Sequence, residues 1–371
     1  MSLAIAGTGW VTPLGNDVSG VWQRLINGET ATVQSVSSAL GRDYPVIPVP
    51  PDQAPVHPRL RRSSAISRFA VTAGLAAMEE AKLQPGAGAA SRTAMIFAVS
   101  NGGVIYTKRF YDQIVDSGAQ AASPLLFPET VFNAPASHMA AILGITGATY
   151  TLVGDGAVGI LALGMAQDLM ESEAFDHCLV IAAEEADWLL CDAYHQWRLL
   201  RSQPPIEPFE QPPTGTILSE GAGAVLLSRN GSIRVEKIAL GSNFRKRSEA
   251  GDCLGKVLGE LCDDKTELII ASANGTFIDS AERAAVLKNC PKVQIYAMKR
   301  ALGESLGASS LWQVICATQF LRSQSVPSEL LLAKGNGLVA TASKSTGQFR
   351  RAVVSVCGLS QQVAGVRLAI S

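Results

Sequence analysis

The stretch with the clearest capacity for chemistry is Tyr150-Thr-Leu-Val-Gly-Asp-Gly-Ala-Val-Gly159, which runs on to Met170. It reads as a short apolar strand, a glycine turn and a helix. Leu161, Met165 and Leu169 recur at i, i+4 and i+8, so they share one apolar helix face. Unpaired N–H groups and the dipole at such a helix start favour an anion, so thiol and hydroxyl nucleophiles are often held there. This turn contains neither Cys nor Ser. Gly154, Gly156 and Gly159 read as residues that open unusual backbone angles and allow close approach. Asp155, the one carboxylate, reads as the cap of the following helix.

Other reactive side chains are scattered. His138 reads as a structural histidine, and His57, His177 and His195 show no partner at catalytic spacing. Glu220 in Glu-Gly-Ala-Gly reads as a buried acid bonded to loop backbone, and Glu184-Glu185 with Asp187 as a solvated acidic patch. The seven cysteines form no CxxC pair and show no metal-ligand spacing. Such a set implies reduced thiols and a cytoplasmic protein, with Cys316 and Cys357 as buried thiols. Neither a metal nor a cofactor is expected.

Those residues need a scaffold. The chain has 371 residues, 47% hydrophobic and 17% charged, with 34 glycines. That composition suits an α/β protein with buried sheets or a large oligomer interface. A net charge of -1 without long charge runs offers no nucleic-acid or membrane-surface partner. The N-terminus lacks the pattern of a signal peptide, and no apolar run is long enough for a membrane span.

Strand patterns at 3–11, 93–100 and 177–183 alternate with helical spacing from Val18, across 67–82, after Gly103 and beyond Gly156. Residues 31–60 read as a surface loop. After Arg229-Asn-Gly231 the order starts again, with strands at 233–240, 267–272, 293–297, 351–356 and 365–370 and helices at 253–262, around 284–287 and at 310–321. The economical reading is a duplicated α/β unit, divided into 1–229 and 230–371.

Five stretches, in order along nearly the whole chain, carry a resemblance to the β-ketoacyl synthases of the thiolase superfamily. They are Thr12-Pro-Leu-Gly15; Ser123-Pro-Leu-Leu-Phe-Pro128 with Asn133 and His138; Pro208-Phe209 with Ser219-Glu-Gly-Ala-Gly223; Asn274-Gly-Thr276 with Asp279; and Lys299 to Gly307. The resemblance implies a thiolase fold, two βαβαβαββ halves stacked as an α-β-α-β-α sandwich. It also implies the reaction of active members. A turn Cys attacks an acyl thioester, while two His assist malonyl decarboxylation and stabilise the oxyanion.

Carried across residue by residue, that pattern is broken. The Cys position falls on Gly156, the two His positions on Asn274 and Glu304, and the Lys remains as Lys299. The Gly-Phe-Gly-Gly run, whose Phe gates the acyl pocket in the family, appears as Gly358-Leu-Ser-Gln361. Glycine cannot be acylated, an ionised Glu304 would repel an oxyanion, and Asn274 cannot shuttle a proton. Lys299 is expected to pair with Glu304 across the vacated site.

What the resemblance then implies is a chain-length-factor-like subunit, not an enzyme by itself. It would pair with an active ketosynthase in a type II polyketide or aryl-polyene-type system and shape the tunnel for chains delivered by acyl carrier protein. The basic run Arg59-Leu-Arg-Arg62 reads as a solvated loop rather than a carrier dock. Tunnel and interface candidates are Thr107, Phe110, Tyr111 and Ile114 on the helix after Gly103, with Phe132 and Leu359; Phe127 and Met139 are further candidates. Two other readings stay open. One is a thiolase-fold acyltransferase or thioester hydrolase using Asp155 or Glu304; the other is a homodimeric acyl-binding scaffold.

Overall fold

The computed structural model describes residues 3–51, 57–86, 88–327, 329–334, 337–340 and 349–371. Ten strands carry the architecture. They are β1 (Leu3–Val11), β2 (Thr93–Val99), β3 (Thr149–Val153), β4 (His177–Glu184) and β5 (Gly221–Ser228), then β6 (Ile233–Ala239), β7 (Leu268–Ile270), β8 (Gln294–Tyr296), β9 (Arg351–Cys357) and β10 (Val363–Ile370). Their spatial order is β3-β2-β4-β5-β1 and β8-β7-β9-β10-β6, the same permutation twice. In each set the first three strands run parallel and the later pairings are antiparallel. β1 and β6 join the sets through Leu3↔Val235, Ala4↔Arg234 and Ile5↔Ile233. A hairpin, Leu331–Lys334 with Gly337–Ala340, extends the sheet beyond β8.

Of the helices α1 (Ala65–Glu80), α2 (Val104–Ser117), α3 (Ala134–Leu143), α4 (Val158–Glu171), α5 (Ala250–Leu261), α6 (Phe277–Asn289) and α7 (Leu306–Ser323), all but α2 form three layers around these strands. α7 packs against strands of both sets and against α4, so these two helices form the central layer. α1 and α3 cover the outer face of the first set, and α5 with α6 that of the second. The resulting α/β architecture is the layered, duplicated thiolase-type fold expected from the sequence.

The local chemistry explains the layers. α7 is apolar or small nearly all round, the pattern of a helix with no solvent face. Its one buried amide, Gln313, spends its Nε2 donors on the carbonyls of Ala271 and Ser355 at 2.9 Å, pinning β9 beside the end of β7. Gly159 on α4 lies so close to α7 that a Cβ there would overlap Ser310 Oγ. Leu161, Met165 and Leu169 form the half-buried margin of α4, whose fully buried side is Ile160, Leu163, Ala166 and Met170.

Two expectations need correction. Residues 31–60 are not all loop: Gln34–Ser37 and Asp43–Ile47 form a hairpin that adds Leu218–Ser219 as a third strand. Pro45 and the many serines hide its alternation, although Tyr44, Val46 and Ile47 are buried. Nor are all seven cysteines reduced. Cys262 and Cys290, at the C-terminal ends of α5 and α6, form a disulfide with Cα atoms 6.5 Å apart. The other five are free and buried. Packing of α5 against α6 creates that proximity, which spacing along the chain does not reveal.

Candidate functional site

Four stretches converge where the central helices begin: the turn after β3, the segment between β7 and α6, the short helix Lys299–Leu302 with Glu304, and the turn after β9. Ser272 ties two of them together, its Oγ accepting from Cys357 N at 2.9 Å and donating to Cys357 O at 3.1 Å.

Gly156 faces the turn after β9. A side chain placed on it would bring its Cβ to 3.1 Å from the Cα of Gly358. None of Gly154, Gly156 and Gly159 has positive φ, so these glycines serve close approach rather than unusual backbone angles. Asp155 does not cap α4, whose start carries no side-chain cap. Its Oδ2 instead accepts from the backbone N–H of Ser360 and Gln361 at 2.9 Å and of Gln362 at 3.3 Å.

Lys299, Glu304 and Asn274 form one buried network. Glu304 Oε2 accepts from Lys299 Nζ and from Asn274 Nδ2, both at 2.7 Å, and the ion-pair side chains are 2% and 3% exposed. Asn274 Oδ1 accepts from Thr276 Oγ1 at 2.7 Å, and Lys299 Nζ reaches Ser272 Oγ at 3.5 Å. Secondary structure holds each member. Thr276 caps α6, Asp279 in its first turn takes the N–H groups of Asn274 and Gly275, and Glu304 is bridged through its backbone to Ile217 and Ser219. The lysine and the amide are thus already turned toward a carboxylate, the charge opposite to what an oxyanion needs beside it.

Nearby carboxylates are structural. Glu184 accepts from Ser100 N and Asn101 N, and burial pushes its carboxyl up to about 8. Glu282 holds Ser272 N and Ala273 N, and burial raises it to about 7. The acidic run is therefore not solvated: Glu184 and Asp187 are buried, and Asp187 caps the helix Trp188–Gln196. Glu220 accepts from Val49 N and Ala186 N, the backbone role expected for it. His138 pairs through Nε2 with Glu129 Oε1 at 2.8 Å, which also matches its structural reading. Among the described residues no group of three His, Cys, Asp or Glu side chains could hold a metal.

The tunnel and interface candidates divide. α2 has no buried residue, and its Tyr111 is 64% exposed. Thr107, Tyr111 and Phe132 share a cavity of about 520 Å³ with Val104, Lys108 and Leu189. Sequence reasoning missed the last three; for Val104 and Lys108, helical spacing from Tyr111, at i−7 and i−3, was the available signal. Phe110 turns away to Phe127, ring centroids 5.7 Å apart, and Ile114 is half-buried. Met139 is fully buried. Leu359 is 4% exposed and packs in the core beneath α5 and α6, so it does not line that cavity. The edge strand β3 exposes Tyr150 and Val153 and, among the described residues, pairs on one side only, with β2. No described helix is long and apolar enough to cross a membrane.

Comparison with known proteins agrees with this geometry. 3-Oxoacyl-[acyl-carrier-protein] synthase 2 of Coxiella burnetii is 23% identical over 361 residues, covering 88% of this chain and 87% of the relative. The Vibrio harveyi protein of that name is 20% identical over 365 residues, with the same coverage. Among solved structures, the ishigamide ketosynthase/chain length factor matches with a TM-score of 0.82 at 18% identity, over 100% of this chain and 99% of that one. A ketosynthase in complex with its chain length factor from Xenorhabdus doucetiae gives 0.80 at 17% identity, over 100% and 98%. At such identities the structures establish a shared fold. The model of the β-ketoacyl synthase N-terminal domain matches residues 2–231, well over half of the sequence, and with that match the chain belongs to the β-ketoacyl synthase family of the thiolase superfamily.

Proposed function

We propose that this chain is a non-catalytic, chain-length-factor-like subunit. It pairs with an active β-ketoacyl synthase and shapes the tunnel in which malonyl-derived chains grow on acyl carrier protein. The observation that carries the reading is the state of the nucleophile turn. Gly156 has no atom to acylate, and Gly358 stands 3.1 Å from where its Cβ would be. The two positions where the family places imidazole hold Asn274 and Glu304, bonded to each other and to Lys299. A carboxylate there opposes the negative charge that builds in a thioester condensation. The same engagements count against a hydrolase based on a carboxylate, since Asp155 is spent on three backbone donors and Glu304 on a lysine and an amide.

The pairing rests on β3 and α2. An exposed edge strand with apolar side chains invites another strand or a covering surface. Tyr111, Phe132, Tyr150 and Val153 supply that apolar area. Thr107, Tyr111 and Phe132 would then face the partner's chain tunnel. We place the two family halves at 1–229 and 230–371. A cytoplasmic setting now rests on five of the seven thiols, since Cys262 and Cys290 are paired.

The test is co-expression with an active ketosynthase of the same organism, followed by native mass and a malonyl-carrier condensation assay. A one-to-one complex whose condensation needs both chains supports the proposal. A well-behaved monomer that leaves the ketosynthase's activity unchanged overturns it.

A further inference from the structure

We propose that Asp155 is a strut that locks the 358–362 turn against the 154–156 turn and seals this chain's own vacated site against acyl thioesters. The inference rests on the reading that this site is vacated, and adds that it is also shut. A tunnel shaped with the partner subunit would then have no second branch ending at Gly156.

The geometry is reciprocal. One carboxylate oxygen, Asp155 Oδ2, takes the N–H groups of three consecutive residues, Ser360, Gln361 and Gln362. In return Gln362 Oε1 accepts the N–H of Asp155 at 2.8 Å. Gly358 N donates to Gln362 O at 2.8 Å, closing the turn on itself, and Phe244 N donates to Gln361 O at 2.9 Å from the far side. Asp155 is itself buried, so water competes poorly for these donors.

The steric fit points the same way. A Cβ on Gly358 would overlap the Asp155 carboxylate, and one on Gly156 would press on Gly358. The lock therefore needs glycine at 358, and holding Gly358 in place keeps it crowded against any group carried on residue 156. Leu359 is buried in the outer core, so the turn is anchored on its other face too. Asp155 lies 205 to 207 positions from its three donors, which makes the lock a tertiary contact between the two halves and not local turn chemistry.

The experiment is hydrogen exchange of the full chain, read at the amides of residues 358–363, in wild type, Asp155→Asn and Asp155→Ala. Loss of a charge-assisted acceptor should speed exchange at Ser360, Gln361 and Gln362 by about 10- to 100-fold in Asp155→Ala, and by less in Asp155→Asn. A second readout uses a Gly156→Cys reporter and peptide-level mass spectrometry of iodoacetamide labelling. The reporter should label at least about 10-fold faster when combined with Asp155→Ala, on the same scale. Unchanged exchange in both Asp155 variants, or a reporter labelled just as fast with Asp155 intact, overturns the strut. Native mass with the ketosynthase separates the two proposals. Failure to pair with the amides still protected sinks the partner reading, whereas pairing with unprotected amides sinks the strut.

Discussion

Substituting Glu304 by glutamine should destabilise the fold far more than an ordinary neutralisation. Lys299 and Glu304 are almost wholly buried, and their contact is 2.7 Å. In Glu304→Gln the amide oxygen can still accept from Asn274, but the Lys299 ammonium loses its counter-charge. The neutral amide oxygen in the place of Oε2 keeps a hydrogen bond to that ammonium but no charge, and Ser272 Oγ at 3.5 Å is the ammonium's other partner. Breaking a buried pair from one side costs about 3–5 kcal/mol. For 371 residues the unfolding entropy is about 0.8 kcal/mol/K, so Tm should fall by about 4–6 °C. Lys299→Met should cost a similar amount, because it strands the carboxylate instead. The combination Lys299→Met/Glu304→Gln removes both charges and should recover most of the loss, with a coupling energy above about 2 kcal/mol. Calorimetry with urea titration of the four proteins measures this cycle. Single variants that each move Tm by less than about 1 °C, or that simply add, would refute the claim that Lys299 and Glu304 serve the fold.

Three further outcomes follow from the same geometry. Gly156→Cys alone should give little condensation activity, because Asn274 and Glu304 still lack imidazole and Gly358 crowds the new side chain; substantial turnover by this single variant would contradict the account. Burial raises Glu184 to about 8 and Glu282 to about 7, so the folded state holds protons that the unfolded chain releases near pH 4.5. Their stabilising contribution is complete below that pH and is lost as pH rises toward 8; Tm should therefore be higher at pH 6 than at pH 9, and Glu184→Gln should flatten the difference. Finally, Tyr111→Ala or Phe132→Ala should lengthen the products of the assembled complex, whereas Phe110→Ala, whose ring packs on Phe127, should leave them unchanged; chromatography of the products decides.

The parts legible in the sequence are those where one-dimensional pattern and burial coincide. β2 and β4 are buried on both faces and read as continuous apolar runs, Ala94 to Val99 and Cys178 to Ala183. The second half announced itself because its runs recur in the same order after Gly231. The salt bridge between Lys299 and Glu304 was legible as two opposite charges five residues apart in one of the family's motif segments. What stayed hidden depends on distant contacts. The sequence beside Asp155 offers a helix start, so a cap was the local reading, yet its three donors lie more than 200 residues away. Gly156 and Gly159 read as sites of unusual backbone angles and of close approach; only the second holds, and a sequence cannot display which backbone or helix presses on them. Leu359 was placed in the tunnel by its position in a motif, but the turn that Asp155 holds buries it in the outer core. Phe110 and Tyr111 are neighbours on α2 with different surroundings, and spacing alone could not separate them.

The central claim is that this chain contributes no nucleophile. Intact-protein mass spectrometry of the complex with its ketosynthase, after incubation with an acyl-carrier thioester, tests it most directly. The account predicts one acyl adduct on the ketosynthase subunit and an unmodified mass for this chain. An acyl adduct on this chain, surviving removal of the partner's nucleophile, would contradict it.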